Sequence, residues 1–276
     1  MKSILVPTDF SLNANTAIDY ACELARSLGA EVTVLNIHTP AITQYDVASV
    51  IVKNELDRAK EIAEEKLGEI SKMIQQQYQI TCKTRFKVGG VVDSIEDMIE
   101  KEEADFVIMG TRGASGLGKI LFGSNTARVI EKVDCPVLAI PEGCTFQNPK
   151  RIVYATDFNN AELNHLDKLV AVAQSFNSEL MMVHITTDKE ALQSEEMLKR
   201  NFARKVSELT DYNAITYFAK YEENIVRALD SFTQQVRADW IAMLTHNRSG
   251  FEKFYNPSLT KKMAYQTKIP LLAIKN

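Results

Sequence analysis

The chain has 276 residues, 45% of them apolar and 25% charged, with a net charge of −4. This is the balance of a soluble globular protein long enough for two ordinary domains, and its acidic excess argues against general nucleic-acid binding, which needs a basic face. No apolar run approaches the roughly 20 residues of a membrane span, and the start, MKSILVPTDF, carries too short an apolar run for a signal peptide, so a cytoplasmic location is expected.

SILVPT (3–8) is a short apolar run ending around Pro7 and reads as a first strand. Residues 13–28 carry Ala17, Ala21, Leu24, Ala25 and Leu28 at helical spacing, with Gly29 suited to the stop. EVTVLNI (31–37), rich in β-branched residues, is strand two. From about residue 47 to 77, Val50, Ile51, Ala59, Ile62, Ala63, Leu67, Ile70 and Ile74 mark a long amphipathic helix. ITCKTRFKV (80–88) is strand three and VVDSIEDMIEKE (91–102) a third helix. DFVIMG (105–110) has no polar residue after Asp105, as befits a strand buried on both faces. A glycine-rich loop, a helix over 124–132 and the strand PVLAI follow. Strand alternating with helix implies a parallel, doubly wound α/β sheet covered on both faces.

The pattern then repeats. ILVPTDF (4–10) reappears as IVYATDF (152–158) at an offset of 148, which carries Ala25 onto Ala173 and Glu31 onto Glu179. Later the offset is 134: ADFVIMG falls on ADWIAML and CPVLAI on IPLLAI. This is a tandem duplication, with domains expected over 1–143 and 149–276 and a join near EGCTFQNPK (142–150), where Gly, Asn and Pro gather. The four cysteines, Cys22, Cys82, Cys135 and Cys144, have no CxxC spacing and are expected as free thiols.

The loop GTRGASGLGKILFGSN (110–125) holds five of the eleven glycines of the chain. It follows a strand and opens a helix, and a helix N-terminus offers unpaired N–H groups and partial positive charge to an anion. It has neither the GKS/GKT of a Walker loop nor a GxGxxG after strand one. Its spacing is G-x2-G-x9-G-S, through Gly110, Gly113, Gly123 and Ser124. If strands one and four are neighbours where the winding reverses, Asp9 and this loop face one crevice.

With its PTDF strand end, this glycine spacing and the closing CPVLAI, the chain resembles the universal stress proteins in their tandem form, and its first copy resembles their ATP-binding subgroup. The resemblance implies two Rossmann-like domains of the adenine nucleotide alpha hydrolase-like kind, each a five-stranded parallel sheet. It implies ATP as the ligand, carrying Mg or Mn without a strong protein ligand for the ion. Asp9 would meet the adenine or ribose end, with Pro7 and Thr8 beside it. The Ile37 backbone would meet the adenine. Met109, Gly110 and Gly113 would line the ribose and first phosphate, and Gly123, Ser124 and Asn125 the remaining phosphates.

Other readings stand beside these. Asp9 and Asp157 could be helix N-caps, and Arg112 and Lys119 could be solvated loop charges. In the second copy Gly110 becomes Leu244, Gly113 becomes Asn247 and Gly123 becomes Pro257, with only Ser124 kept in type as Ser258. A leucine in the ribose position and a proline without an N–H at the helix start predict that this copy does not bind ATP in the same manner. Asp157, His184 and His246 near strand ends could gather a metal, but the plainer reading is better: His184 replaces Asn36 inside a strand, where packing explains it, and His246 replaces Arg112 in a loop. The apolar closing strands could pair the two copies as a pseudo-dimer within the chain, and they leave a homodimer open. With no second carboxylate beside the motif, fast turnover is not expected. A regulatory ATP-binding module with an unidentified protein partner is the leading reading. A slow ATPase or other nucleotide-dependent enzyme, and a scaffold with a vestigial site, are the alternatives.

Overall fold

The computed structural model describes residues 1–40, 49–101, 103–111, 123–245 and 267–275. Among these, strands β1 (Ser3–Thr8), β2 (Glu31–His38), β3 (Cys82–Val88), β4 (Phe106–Gly110) and β5 (Val137–Ile140) come from the first half. The second half supplies β6 (Arg151–Ala155), β7 (Glu179–Thr186), β8 (Ile215–Tyr221), β9 (Trp240–Thr245) and β10 (Leu271–Lys275). They form one sheet in the order β3-β2-β1-β4-β5-β10-β9-β6-β7-β8. Each half is parallel within itself. The halves join where β10 pairs antiparallel with β5, Leu272 opposite Leu138.

The helices are α1 (Leu12–Leu28), α2 (Ser49–Tyr78), α3 (Val91–Glu100), α4 (Ser124–Lys132), α5 (Leu166–Phe176), α6 (Leu192–Leu209) and α7 (Ile225–Val236). α1, α2, α5 and α6 contribute to the apolar layer on one face of the sheet, α3, α4 and α7 to the layer on the other. Covered twice, the central strands need no polar side: every residue of β4 is buried. The outer strand β3 instead exposes Lys83 and Arg85, charges that discourage pairing with another edge.

Helix ends follow from short polar residues. Ser11, not Asp9, caps α1: its hydroxyl accepts from the Ala14 N–H at 3.2 Å. The Asp9 carboxylate turns back onto the Ser11 N–H at 3.0 Å. Asn159, the counterpart of Ser11, caps the second half, where residues Asn160–His165 form a 3-10 turn before α5. Asp157 is thus not the cap there. Gly29 ends α1 at φ 65°, a left-handed conformation that costs a glycine nothing.

A buried polar pair ties the halves together. The Trp240 indole N–H on β9 donates to the Tyr20 hydroxyl on α1 at 2.7 Å. Tyr20 meets Phe146 edge-on, and Trp240 meets Phe176 likewise. All four cysteines are free, with Cys22 and Cys135 buried. Burial pushes the Cys135 thiol up to about 12.

Candidate functional site

The winding reverses between β1 and β4. Their ladder is short, joining Ile4 to Phe106 and Leu5 to Val107. Pro7, which has no N–H to donate, stands beyond it. At the carboxyl ends of these strands lies a cleft of about 360 Å³, within the range of small-molecule sites. It is lined by Pro7, Thr8, Asp9, Ile37, Met109, Gly110, Gly123, Ser124 and Asn125. Every described residue that the sequence nominated for the first-half site therefore borders a single space. Gly113, Arg112 and Lys119 lie outside the described residues. Ala14, Thr39, Val91 and Thr126 also line the cleft. No sequence motif marked the first three, which look like ordinary small or apolar positions.

The β1 side is held by short hydrogen bonds. The Thr8 hydroxyl accepts from the Phe10 N–H at 3.0 Å, and the Asn36 amide donates to the Thr8 carbonyl at 2.9 Å. Phe10 sits at φ 63°, rare for a bulky residue, and Phe158 repeats this at φ 54°. Both copies therefore keep the same strained turn after the first strand, and in the first copy it aims Asp9 at the cleft.

On the β2 side, Ile37 borders the cleft just past the end of the β1–β2 ladder. Thr8 pairs with Asn36, the last step of the β1–β2 ladder, and β2 continues through Ile37 and His38. Glu31 N–H donates to Lys2 of β1's side, whereas Val32 N–H donates to Thr81 and His38 carbonyl accepts from Gly89, both on the β3 side. Polar backbone groups alternate sides along a strand, so those of Ile37 face the β1 side at the last step of that ladder, beside the cleft.

The far wall is the start of α4. Gly123 is its N-cap residue, with no side chain to cap the helix, so the first amides have no partner within the helix. The Gly123 N–H donates to the Thr111 carbonyl at 2.6 Å, and the Thr126 hydroxyl to the Gly110 carbonyl at 2.9 Å. These two bonds fasten the helix start to the end of β4. The Thr126 hydroxyl, though it borders the cleft, is committed to the strand and is not a donor aimed into it.

Gly110 has a reason of its own. A Cβ there would lie 2.7 Å from the Asn13 carbonyl oxygen and 3.0 Å from its carbon. The first turn of α1 crosses this strand end too closely for any other residue. The second half shows the alternative, with Leu244 at the equivalent position and a 3-10 turn replacing the start of the helix.

The equivalent crevice of the second half is furnished differently. Ala14, which lines the first cleft, becomes Glu162, 1% exposed. Its carboxylate accepts from the Tyr154 hydroxyl at 2.7 Å, the Thr156 hydroxyl at 2.6 Å and the Asp157 N–H at 2.8 Å. His184 takes the place of Asn36 and repeats its bond, with Nδ1 2.9 Å from the Thr156 carbonyl. A carbonyl only accepts, so Nδ1 carries a proton. Asp157 lies 3.3 Å from Nδ1 and Glu195 3.4 Å from Nε2. Burial of the ring pushes its pKa down. The Asp157 hydrogen bond, the Thr156 carbonyl and the charges of Asp157 and Glu195 outweigh this and raise it. Asp157 and His184 thus do meet, at 3.3 Å, a contact that becomes an ion pair when the ring is protonated. Among the described residues no group of three or more His, Cys, Asp or Glu is arranged to hold a metal. His246, Asn247, Pro257 and Ser258 lie outside the described residues. Glu162 and Glu195 were not foreseen, since an acidic residue in NNAELNH or in a polar helix reads as solvated surface.

Comparison with known proteins bears on both halves. A model of the universal stress protein family matches twice, over residues 1–141 and 148–275. Universal stress protein MJ0531 of Methanocaldococcus jannaschii is 31% identical over 146 residues, spanning 50% of this chain and 81% of that one. Universal stress protein Slr1230 of Synechocystis is 26% identical with 100% of both chains covered. The crystal structure of a universal stress protein from Archaeoglobus fulgidus superposes with a TM-score of 0.75 at 21% identity, covering 99% of this chain and 98% of that one, a likeness of fold.

Proposed function

The chain belongs to the universal stress protein family, and from that premise we propose that its first half is an ATP-binding regulatory module. The observation that carries the reading is the single cleft that brings the Ile37 backbone edge, Asp9 and the α4 N-terminus together. An adenine base on the Ile37 edge puts its ribose near Asp9, whose carboxylate accepts from sugar hydroxyls. The phosphates then reach the amides of Ser124 and Asn125, where backbone N–H groups and the helix field favour negative charge. These donors fit a polyphosphate, and a Mg or Mn ion would ride on it.

Asp9 is the one carboxylate among the described lining residues, and the reading gives it to the sugar. With no second acid or base to activate water there, hydrolysis is at most slow. Binding then acts by shifting the conformation of the chain toward a stress-responsive partner. The second half, with Leu244 and Glu162 where the first has Gly110 and Ala14, takes no ATP in this manner.

Calorimetric titration with Mg–ATP tests the reading. Wild type is expected to bind one ATP per chain, and Gly123→Val, which crowds the phosphate end in a backbone conformation valine tolerates, to bind none. Absence of binding at millimolar ATP, or two ATP per chain, overturns it.

A further inference from the structure

The antiparallel β5–β10 ladder decides what stands at the far end of the cradle helix. Leu271, Leu272 and Ala273 run past Ala139, Leu138 and Val137, so β10 travels toward the beginning of β5. β5 is entered from α4 across four residues. The carboxyl end of β10 therefore arrives beside the C-terminus of α4. Lys275 pairs with Thr245 across the parallel β9–β10 ladder, and both side chains reach that spot. The Lys275 ammonium donates to the Lys132 carbonyl at 2.5 Å. The Thr245 hydroxyl lies 3.3 Å from the Ile130 carbonyl and 3.5 Å from that of Ile274. Val133, after the helix, still donates to the Val129 carbonyl. Ile130 and Lys132 lie past the reach of the helix's own amides, and their carbonyls are the kind left without intrahelical partners.

From this we infer that Thr245 and Lys275, both from the second half, are positioning residues for the cradle of the first. They hold α4 by its C-terminal carbonyls while its N-terminal amides face the cleft, and the ammonium complements the negative end of the helix. The lysine has no first-half equivalent: its counterpart is Pro141, which has no side-chain donor. The duplicated half, with its own crevice filled by Glu162, thereby retains a part in binding at the other crevice. By reciprocity, a ligand on α4 tightens the docking of the second half. The inference rests on the ATP reading of the cleft.

The test uses the full chain as wild type, Lys275→Met, Lys275→Arg and Thr245→Val/Lys275→Met. Amide hydrogen exchange along α4 is read without nucleotide, and Mg–ATP affinity by calorimetry at low and high salt. A cation at a helix C-terminus predicts about a two- to fivefold weaker affinity for Lys275→Met at low salt. The difference should shrink as salt screens it, and Lys275→Arg should restore wild-type binding. α4 amides should exchange faster in Lys275→Met and faster still in the double variant. Wild-type exchange and affinity in the double variant overturn the inference. Should wild type bind no ATP, the reading of the cleft falls, and α4 exchange alone decides whether the second half holds this helix.

Discussion

Gly110→Ala isolates the tightest contact of the site. A Cβ at this position meets the Asn13 carbonyl oxygen at 2.7 Å, against ordinary contact from 3.4 Å, so the first turn of α1 must retreat by about 0.7 Å. The obstacle is backbone at the start of a helix whose next residues, Ala14, Ala17 and Ile18, are buried, so it cannot simply rotate away. Overpacking of this kind costs about 1–3 kcal/mol. Alanine recovers about 0.4–1 kcal/mol by restricting the unfolded chain. The net loss is about 1–2 kcal/mol, a fall in Tm of about 2–8 °C for a chain of this size. The retreat also moves Asp9 and Ala14, which line the cleft, so Mg–ATP affinity should fall as well. Urea unfolding and calorimetry measure the two effects. A Gly110→Ala protein with wild-type midpoint and wild-type affinity refutes the close-packing argument. Loss of affinity at unchanged stability would instead make Gly110 purely a ligand contact.

Three further outcomes follow from the same contacts. Tyr20→Phe leaves the Trp240 N–H, now bonded at 2.7 Å, buried without its partner, and should cost about 1–3 kcal/mol in urea unfolding. Glu162→Ala removes the acceptor of the Tyr154 and Thr156 hydroxyls and the Asp157 N–H; a loss of about 2–4 kcal/mol is expected, without gain of a second ATP site. His184 has its pKa raised in the folded state between Asp157 and Glu195, so its charged form stabilises the fold fully below the unfolded value of about 6.5. That contribution is lost as pH rises through the higher folded value. Wild type should lose more stability than His184→Asn between pH 6 and pH 8.5, and parallel profiles would remove His184 from the account.

Much of this was written plainly in the chain. The strands ILVPTDF and IVYATDF, the helical stripe from Ala17 to Leu28 and the uninterrupted FVIMG carry periodicities that burial enforces, and the glycine spacing marks the cleft. What stayed hidden depends on distant partners. Tyr20 and Trp240 are 220 positions apart, and neither has a local pattern that names the other. Glu162 resembles a solvated acid until three donors are seen converging on it. Asp9 and Ser11 are both good capping residues, and only the backbone turn at Phe10 decides between them. Gly110 lines the cleft, but the contact that demands a glycine there is with the α1 backbone, which no local spacing announces.

One nucleotide per chain should sit between the Ile37 edge and the α4 N-terminus. A crystal structure of the full chain grown with Mg–ATP tests it most directly. The expected result is ATP in the first-half cleft, its phosphates on the Ser124 and Asn125 amides, and Glu162 still bonded to Tyr154 and Thr156 in the other half. Nucleotide in the second-half crevice, or an empty first cleft at saturating ATP, would contradict it.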